Sequence, residues 1–202
     1  MNHRVTTGAG FAGGGRPGGK PVTRDRLEKA AAAYVARYDT SSARLRAVLM
    51  RRVLKARRAD APIVADVEAV IDAIVARYGQ AGIVDDARYA ERKAGSLHRR
   101  GVSRRHIREK LRLAGIGHES ARRALDATRE ELAIGGTQMD LHAALAFARR
   151  RRLGPFRATA ERREWRAKDL AALGRAGFDL DVARRVIDTD DPETLIAPDT
   201  SP

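Results

Sequence analysis

The chain of 202 residues contains no cysteine. That excludes a disulfide framework, a thiolate zinc site and a thiol nucleophile. Aromatic residues make up only 4% of the sequence, so stacking platforms for bases are scarce. The side-chain amides that read adenine edges are nearly missing, with Asn2, Gln80 and Gln138 the only ones. No apolar run approaches the roughly 18 residues of a bilayer span, and the N-terminus has no apolar signal-peptide stretch. Neither a membrane-spanning segment nor secretion is therefore expected, and a cytoplasmic protein is. Sustained period-two alternation of β-branched residues is absent as well, so no strand is expected.

What is abundant is positive charge: 40 Lys and Arg against 26 Asp and Glu, a formal net charge of +14. Such a surplus points to a polyanionic partner, whether nucleic acid, anionic membrane or an acidic protein surface. Composition alone equally admits charge that merely solubilises helices, so its placement along the chain decides. A 43% hydrophobic content is enough for a packed core.

Residues 1–22 hold seven of the eighteen glycines and read as a disordered arm. Within it, Gly14-x4-Gly19-Lys20 imitates a phosphate-binding loop. Pro21 stands where that loop needs Ser or Thr, and no strand precedes it, so no nucleotide site is expected. Beyond the arm the chain is rich in Ala, Arg, Leu and Glu, strong helix formers. Punctuation then places helices. Thr23 caps one, and Ser41 or Ser42 opens a second. A third spans about Val64 to Tyr78 and stops before Gly79. In the next round Asp85 or Asp86 caps a helix ended by Gly101. Ser103 caps one ended by Gly115, and a helix from about Glu119 runs to Gly135-Gly136. The last round is expected over Met139 to Arg152, Thr159 to Gly174 and Leu180 to Ile187.

These rounds are internal repeats. Leu111 to Asp126 reads LRLAGIGHESARRALD and Leu173 to Asp188 reads LGRAGFDLDVARRVID, seven identities in sixteen positions at a constant offset of 62. The expected fold is all-α: an elongated tandem array of three-helix, helix-turn-helix-like repeats over 23–79, 80–136 and 137–188, with an acidic tail over 189–202. A single compact helical bundle is the alternative.

The charge follows the repeats. Arg44 to Arg58 has seven positive residues and no acid, Arg92 to Arg112 nine against Glu109, and Arg149 to Arg166 eight against two acids. Solvated helix faces would interleave opposite charges at i,i+4, whereas Arg149, Arg150, Arg151 and Arg152 repel one another. With base-reading residues so few, DNA contact would be to phosphates, positioning without specifying. No catalytic residue is expected: His3, His98, His106, His118 and His142 form no metal-ligand spacing, and no nucleophile–base pair is visible. Neither a cofactor nor a metal is expected.

Gly82-Ile83-Val84-Asp85-Asp86-Ala87-Arg88-Tyr89-Ala90-Glu91, then Arg99-Arg100-Gly101, Ser103, Ile107, Leu111 and Ala114-Gly115-Ile116, resembles the central signature of the RecX regulatory proteins. Arg152-Leu153-Gly154-Pro155-Phe156 and Arg175-Ala176-Gly177-Phe178 in the third repeat are similar to the family too. The resemblance covers about Thr23 to Ile187; the first repeat fits loosely and the Gly-rich arm has no counterpart. It implies a modulator, mostly an inhibitor, of the RecA recombinase filament in DNA repair and the SOS response, acting as a monomer with no chemistry of its own. The implied interaction face is Arg99, Arg100, Arg104, Arg105, Arg108 and Lys110, followed by Arg149 to Arg152. Asp85, Asp86, Tyr89 and Gly115 carry the signature and are expected to be structural. A stand-alone, phosphate-contacting DNA-binding regulator or nucleoid protein is the other reading, and a general helical scaffold a third.

Overall fold

Thr23 begins the helical part of the chain because its hydroxyl accepts from the Arg26 amide at 3.3 Å, satisfying one of the free N–H groups of a first turn. The computed structural model describes residues 19–133 and 138–195. The arm up to residue 18, the Gly135-Gly136 stop and the tail beyond residue 195 lie outside the described residues. Among the described residues nine α-helices follow in order: α1 Arg24–Val35, α2 Ser42–Arg57, α3 Val67–Gln80, α4 Asp86–Arg99, α5 Arg104–Leu113, α6 His118–Glu131, α7 Gln138–Arg151, α8 Arg162–Arg175 and α9 Leu180–Ile187. Short 3-10 turns at Gly154–Phe156 and Thr159–Glu161 join α7 to α8. Among the described residues there is no strand, only one parallel bridge between Val22 and Ile63.

Burial divides the molecule along the chain. One core is built from α1–α3 around Leu27, Leu45, Leu49, Ile71 and Ile74. The next uses α4–α6 around Tyr89, Ile107, Leu111 and Leu125, and the last uses α7–α9 around Leu141, Leu173, Phe178 and Val186. Each core closes on residues near in sequence. The units follow one another as an all-α tandem array of three-helix repeats, not as one bundle with interleaved helices.

Two helix starts differ from the sequence expectation. Helix α3 begins at Val67 and not Val64, because residues 62–64 are extended: Val22 N–H donates to Pro62 O and Val64 N–H to Val22 O, at 2.8 and 2.9 Å. It also runs through Gly79, and the left-handed residue that ends it is Gly82, φ 65°. Helix α8 begins at Arg162 and not Thr159, with no side-chain cap; Arg162 instead donates to Pro155 O at 2.7 Å.

The junctions between units repeat one set of contacts. Ser41, the N-cap of α2, donates through Oγ to the Ala114 carbonyl at the end of α5. Ser103, the N-cap of α5, donates to the Ala176 carbonyl at the end of α8, at 2.8 Å. The first amide of α2, Ser42, donates to Asp86 in the first turn of α4 at 2.8 Å. The first amide of α5, Arg104, donates to Asp140 in the first turn of α7 at 3.1 Å. Helices α2 and α5 are thus each capped twice, by their own serine and by a carboxylate of the next unit. Close approach requires glycine there. A Cβ on Gly115, φ 80°, would lie 2.2 Å from the Ala43 Cβ, and one on Gly177, φ 81°, would lie 2.7 Å from the Ser103 Oγ.

Candidate functional site

Helical spacing turns some of the cations toward one another. Arg44 and Arg51 on α2, three and four residues either side of Val48, share a face with it. Lys93, Leu97 and Arg100 repeat that spacing on α4. Stacking the units brings these two faces together with Lys110 near the end of α5 and Arg150 on α7. They enclose a groove of about 750 Å³ lined by all six cations and no acid. The rest of its lining is apolar: Ala47, Val48, Leu97, Val102, Leu113 and Ala114. Leu113 is 70% exposed, the most exposed of the large apolar side chains among the described residues.

Two groove cations are fixed by neutral partners. Arg150 donates to the Arg100 carbonyl at 2.7 Å, tying the third unit to the second. A hydrogen bond with the Tyr89 hydroxyl, reinforced by Tyr34, holds the Arg44 guanidinium above the usual arginine value. Arg51, Lys93, Arg100 and Lys110 form no ion pair among the described residues. Several arginines elsewhere are neutralised internally, whereas others, Arg52, Arg57, Arg58 and Arg105 among them, form no ion pair among the described residues either. Arg46 pairs with Asp72 at 2.6 Å, Arg112 with Glu109 at 2.8 Å, Arg122 with Glu119 at 2.7 Å, and Arg166 with Asp188 at 2.6 Å. Within these pairs Arg112 draws Glu109, and Arg122 draws Glu119, below the usual carboxylate range.

The expected interaction face is therefore divided. Arg100, Lys110 and Arg150 line the groove. Arg104 is not a free surface cation: its Nε donates to Asp140 at 2.7 Å, and the carboxylate is 13% exposed. The reason is its position as the first residue of α5, over the carboxylate that caps that helix. Arg108 shares a separate 70 Å³ cavity with Arg104, Arg122, Arg129 and Asp126. Arg99 lies 3.8 Å from Glu131, and Arg105 is exposed on α5. Arg149 pairs with Glu193 at 2.7 Å and sits over the Phe156 ring, while Arg151 sits over Phe147. Arg152, at φ 55°, occupies the left-handed position that ends α7.

Of the signature residues, Asp85 accepts from the Arg88 amide at 3.0 Å and caps α4. Asp86 caps the neighbouring α2, Tyr89 is buried in the second core, and Gly115 sits at the first junction. Arg44, Arg51, Lys93 and Leu113 were not singled out from the sequence. The cation–apolar–cation spacing that Arg44-Val48-Arg51 and Lys93-Leu97-Arg100 share was the signal for three of them. Among the described residues no helix is long and apolar enough to cross a membrane.

Residues 85–125 match the second three-helix domain of RecX. The chain is 39% identical over 172 residues to the regulatory protein RecX of Myxococcus xanthus, covering 84% of this chain and 88% of that one. It is 33% identical to the regulatory protein RecX of Agrobacterium fabrum over 56% of this chain and 58% of that one. With the RecX of Thermobifida fusca it shares 36% identity over 55% of this chain and 56% of that one. No solved structure matches it at a significant level. Similarity to the Myxococcus protein runs through nearly all of both chains, and the matched domain holds the doubly capped junction: this chain belongs to the RecX family of regulatory proteins.

Proposed function

We propose that the protein lies along a RecA–DNA filament as a cytoplasmic monomer and restrains its ATP hydrolysis, strand exchange and coprotease action. The observation that carries this reading is the groove: six cations drawn from all three units, none of them with an acidic partner among the described residues, lining one concavity. A row of units presents contacts to successive protomers of a helical partner, and several weak contacts in one chain add as avidity. The interaction face is accordingly Arg44, Arg51, Lys93, Arg100, Lys110 and Arg150, with the exposed Arg99, Arg105 and Arg108 outside the groove in a supporting role. No bond making or breaking is needed for such an action, because occupying the filament is enough to hinder it.

The test is purified RecA on single-stranded DNA with ATP. Stoichiometric protein is expected to lower filament ATPase and strand exchange, and unchanged rates would overturn the proposal. The stand-alone DNA-binding reading predicts a different result. Protein without RecA would then hold naked single-stranded DNA at physiological salt, and log K would fall with a slope of about −4 against log salt if six phosphates are neutralised.

A further inference from the structure

The proposed filament reading leaves open whether the groove meets the DNA or the protein of the filament. We infer that it receives an acidic segment of the recombinase, with an apolar side chain of that segment seated on Leu113. The inference rests on the filament reading and assigns this groove to its protein component.

Charge and apolar lining together favour a protein segment over a nucleic acid backbone. Phosphates are hydrophilic on every side, so a site built only for a nucleic acid backbone gains nothing from aliphatic surface between its cations. Here Leu113, 70% exposed, lines the same groove as Val48, Val102 and the six cations. Its neighbour Leu111, two residues earlier on the same helix, is fully buried and supplies the core. Folding therefore does not need Leu113, which is free to meet a partner; a single exposed leucine is ordinary on a surface, and its place in a groove lined by six cations is what distinguishes this one. An apolar centre inside a charged rim is the arrangement of a protein–protein anchor, where surrounding polar contacts exclude water from a central side chain. Carboxylates on an acidic segment satisfy Lys93, Arg100 and Lys110, which form no ion pair among the described residues, and one apolar residue between them covers the leucine. A base-stacking role is disfavoured because the groove has no aromatic side chain in its lining.

The experiment compares two probes, a fluorescent oligothymidylate alone and the same oligomer coated with RecA and ATP, each titrated with wild-type protein and with Leu113→Ser. The exposed position predicts unchanged helical circular dichroism and melting temperature for the variant. Binding to the coated oligomer is expected to weaken about tenfold, the cost of losing one central anchor, while binding to the bare oligomer stays within about twofold. Leu54→Ser, an exposed leucine of α2 outside the groove lining, is expected to alter neither probe. Equal weakening on both probes means that the groove holds nucleic acid and overturns the inference. Unchanged binding on both does the same, by removing Leu113 from the interface. If wild-type protein fails to bind the coated oligomer at all, the filament reading itself is wrong and this inference falls with it; that outcome is separate from a defect confined to the variant.

Discussion

Gly115 carries more of the architecture than its size suggests. Its φ of 80° is unfavourable for any residue with a Cβ, and that Cβ would overlap Ala43 of the preceding unit. Left-handed strain of about 1–2 kcal/mol adds to overpacking of about 1–3 kcal/mol. Gly115→Ala is therefore expected to lower unfolding free energy by about 2–5 kcal/mol in a denaturant titration. Gly82 has a similar φ of 65° but nothing within 4 Å of a built Cβ, so Gly82→Ala should cost only about 1–2 kcal/mol. The glycine's backbone role was legible in the Ala-Gly-Ile step; the crowding by Ala43 was not, because it depends on a residue 72 positions earlier. A titration effect belongs to the same scale. Burial, and then His98 beside it, push the His142 imidazole below the usual histidine value, and its buried Nε2 has no hydrogen-bond partner. The unfolded chain then binds this proton more readily than the folded one. The stability contributed is present above the unfolded value near 6.5 and is lost as pH falls through the lowered folded value. Melting temperature should drop over that interval, and His142→Phe, similar in shape and unable to titrate, should flatten the drop.

Helices were largely legible from their first residues. Thr23, Ser41, Asp85 and Ser103 each accept from the amide three residues on, and short side chains at such positions announce themselves in any sequence. Helix α3 was misplaced because its expected first turn is held as extended chain by Val22, a pairing that local propensity does not encode. The second partner of the capping serines was equally hidden. Their hydroxyls also donate to carbonyls 73 residues away, so removing one uncaps a helix and strands a buried acceptor. Ser103→Ala and Ser41→Ala are each expected to cost about 1–3 kcal/mol. Asp140→Ala should be the more damaging carboxylate change, since it releases both the Arg104 amide and the Arg104 guanidinium. Asp86→Ala withdraws a cap from the Ser42 amide, at about 1 kcal/mol. Thermal or denaturant melts of the four variants check the order.

At the scale of the whole molecule, three successive cores mean that damage stays local. Leu173 is fully buried in the third core, and Leu173→Ala is expected to cost about 2–5 kcal/mol. Hydrogen exchange should accelerate over residues 141–187 while α1–α3 keep their protection; a uniform rise along the chain would contradict the array. The groove is tested at this scale as well. Arg51→Glu/Lys93→Glu/Lys110→Glu breaks no ion pair among the described residues, so it should fold normally and raise the protein concentration needed for half-inhibition of filament ATPase by at least roughly tenfold. That the basic residues cluster was plain in the sequence. Which ones converge was not, because convergence needs the stacking of three units, and the same stacking draws Arg104 out of reach. The junction contacts have one more consequence. They are made twice with the same polarity, each unit offering its second helix to the first and second helices of the next, so nearly one rotation and translation carries unit to unit. A head-to-tail contact of that kind, repeated, builds a ring where its rotation closes and an open helix where it does not. Either way the row of units is curved by its own junctions, and the match between that curvature and the curvature of a helical partner decides how many units can touch at once.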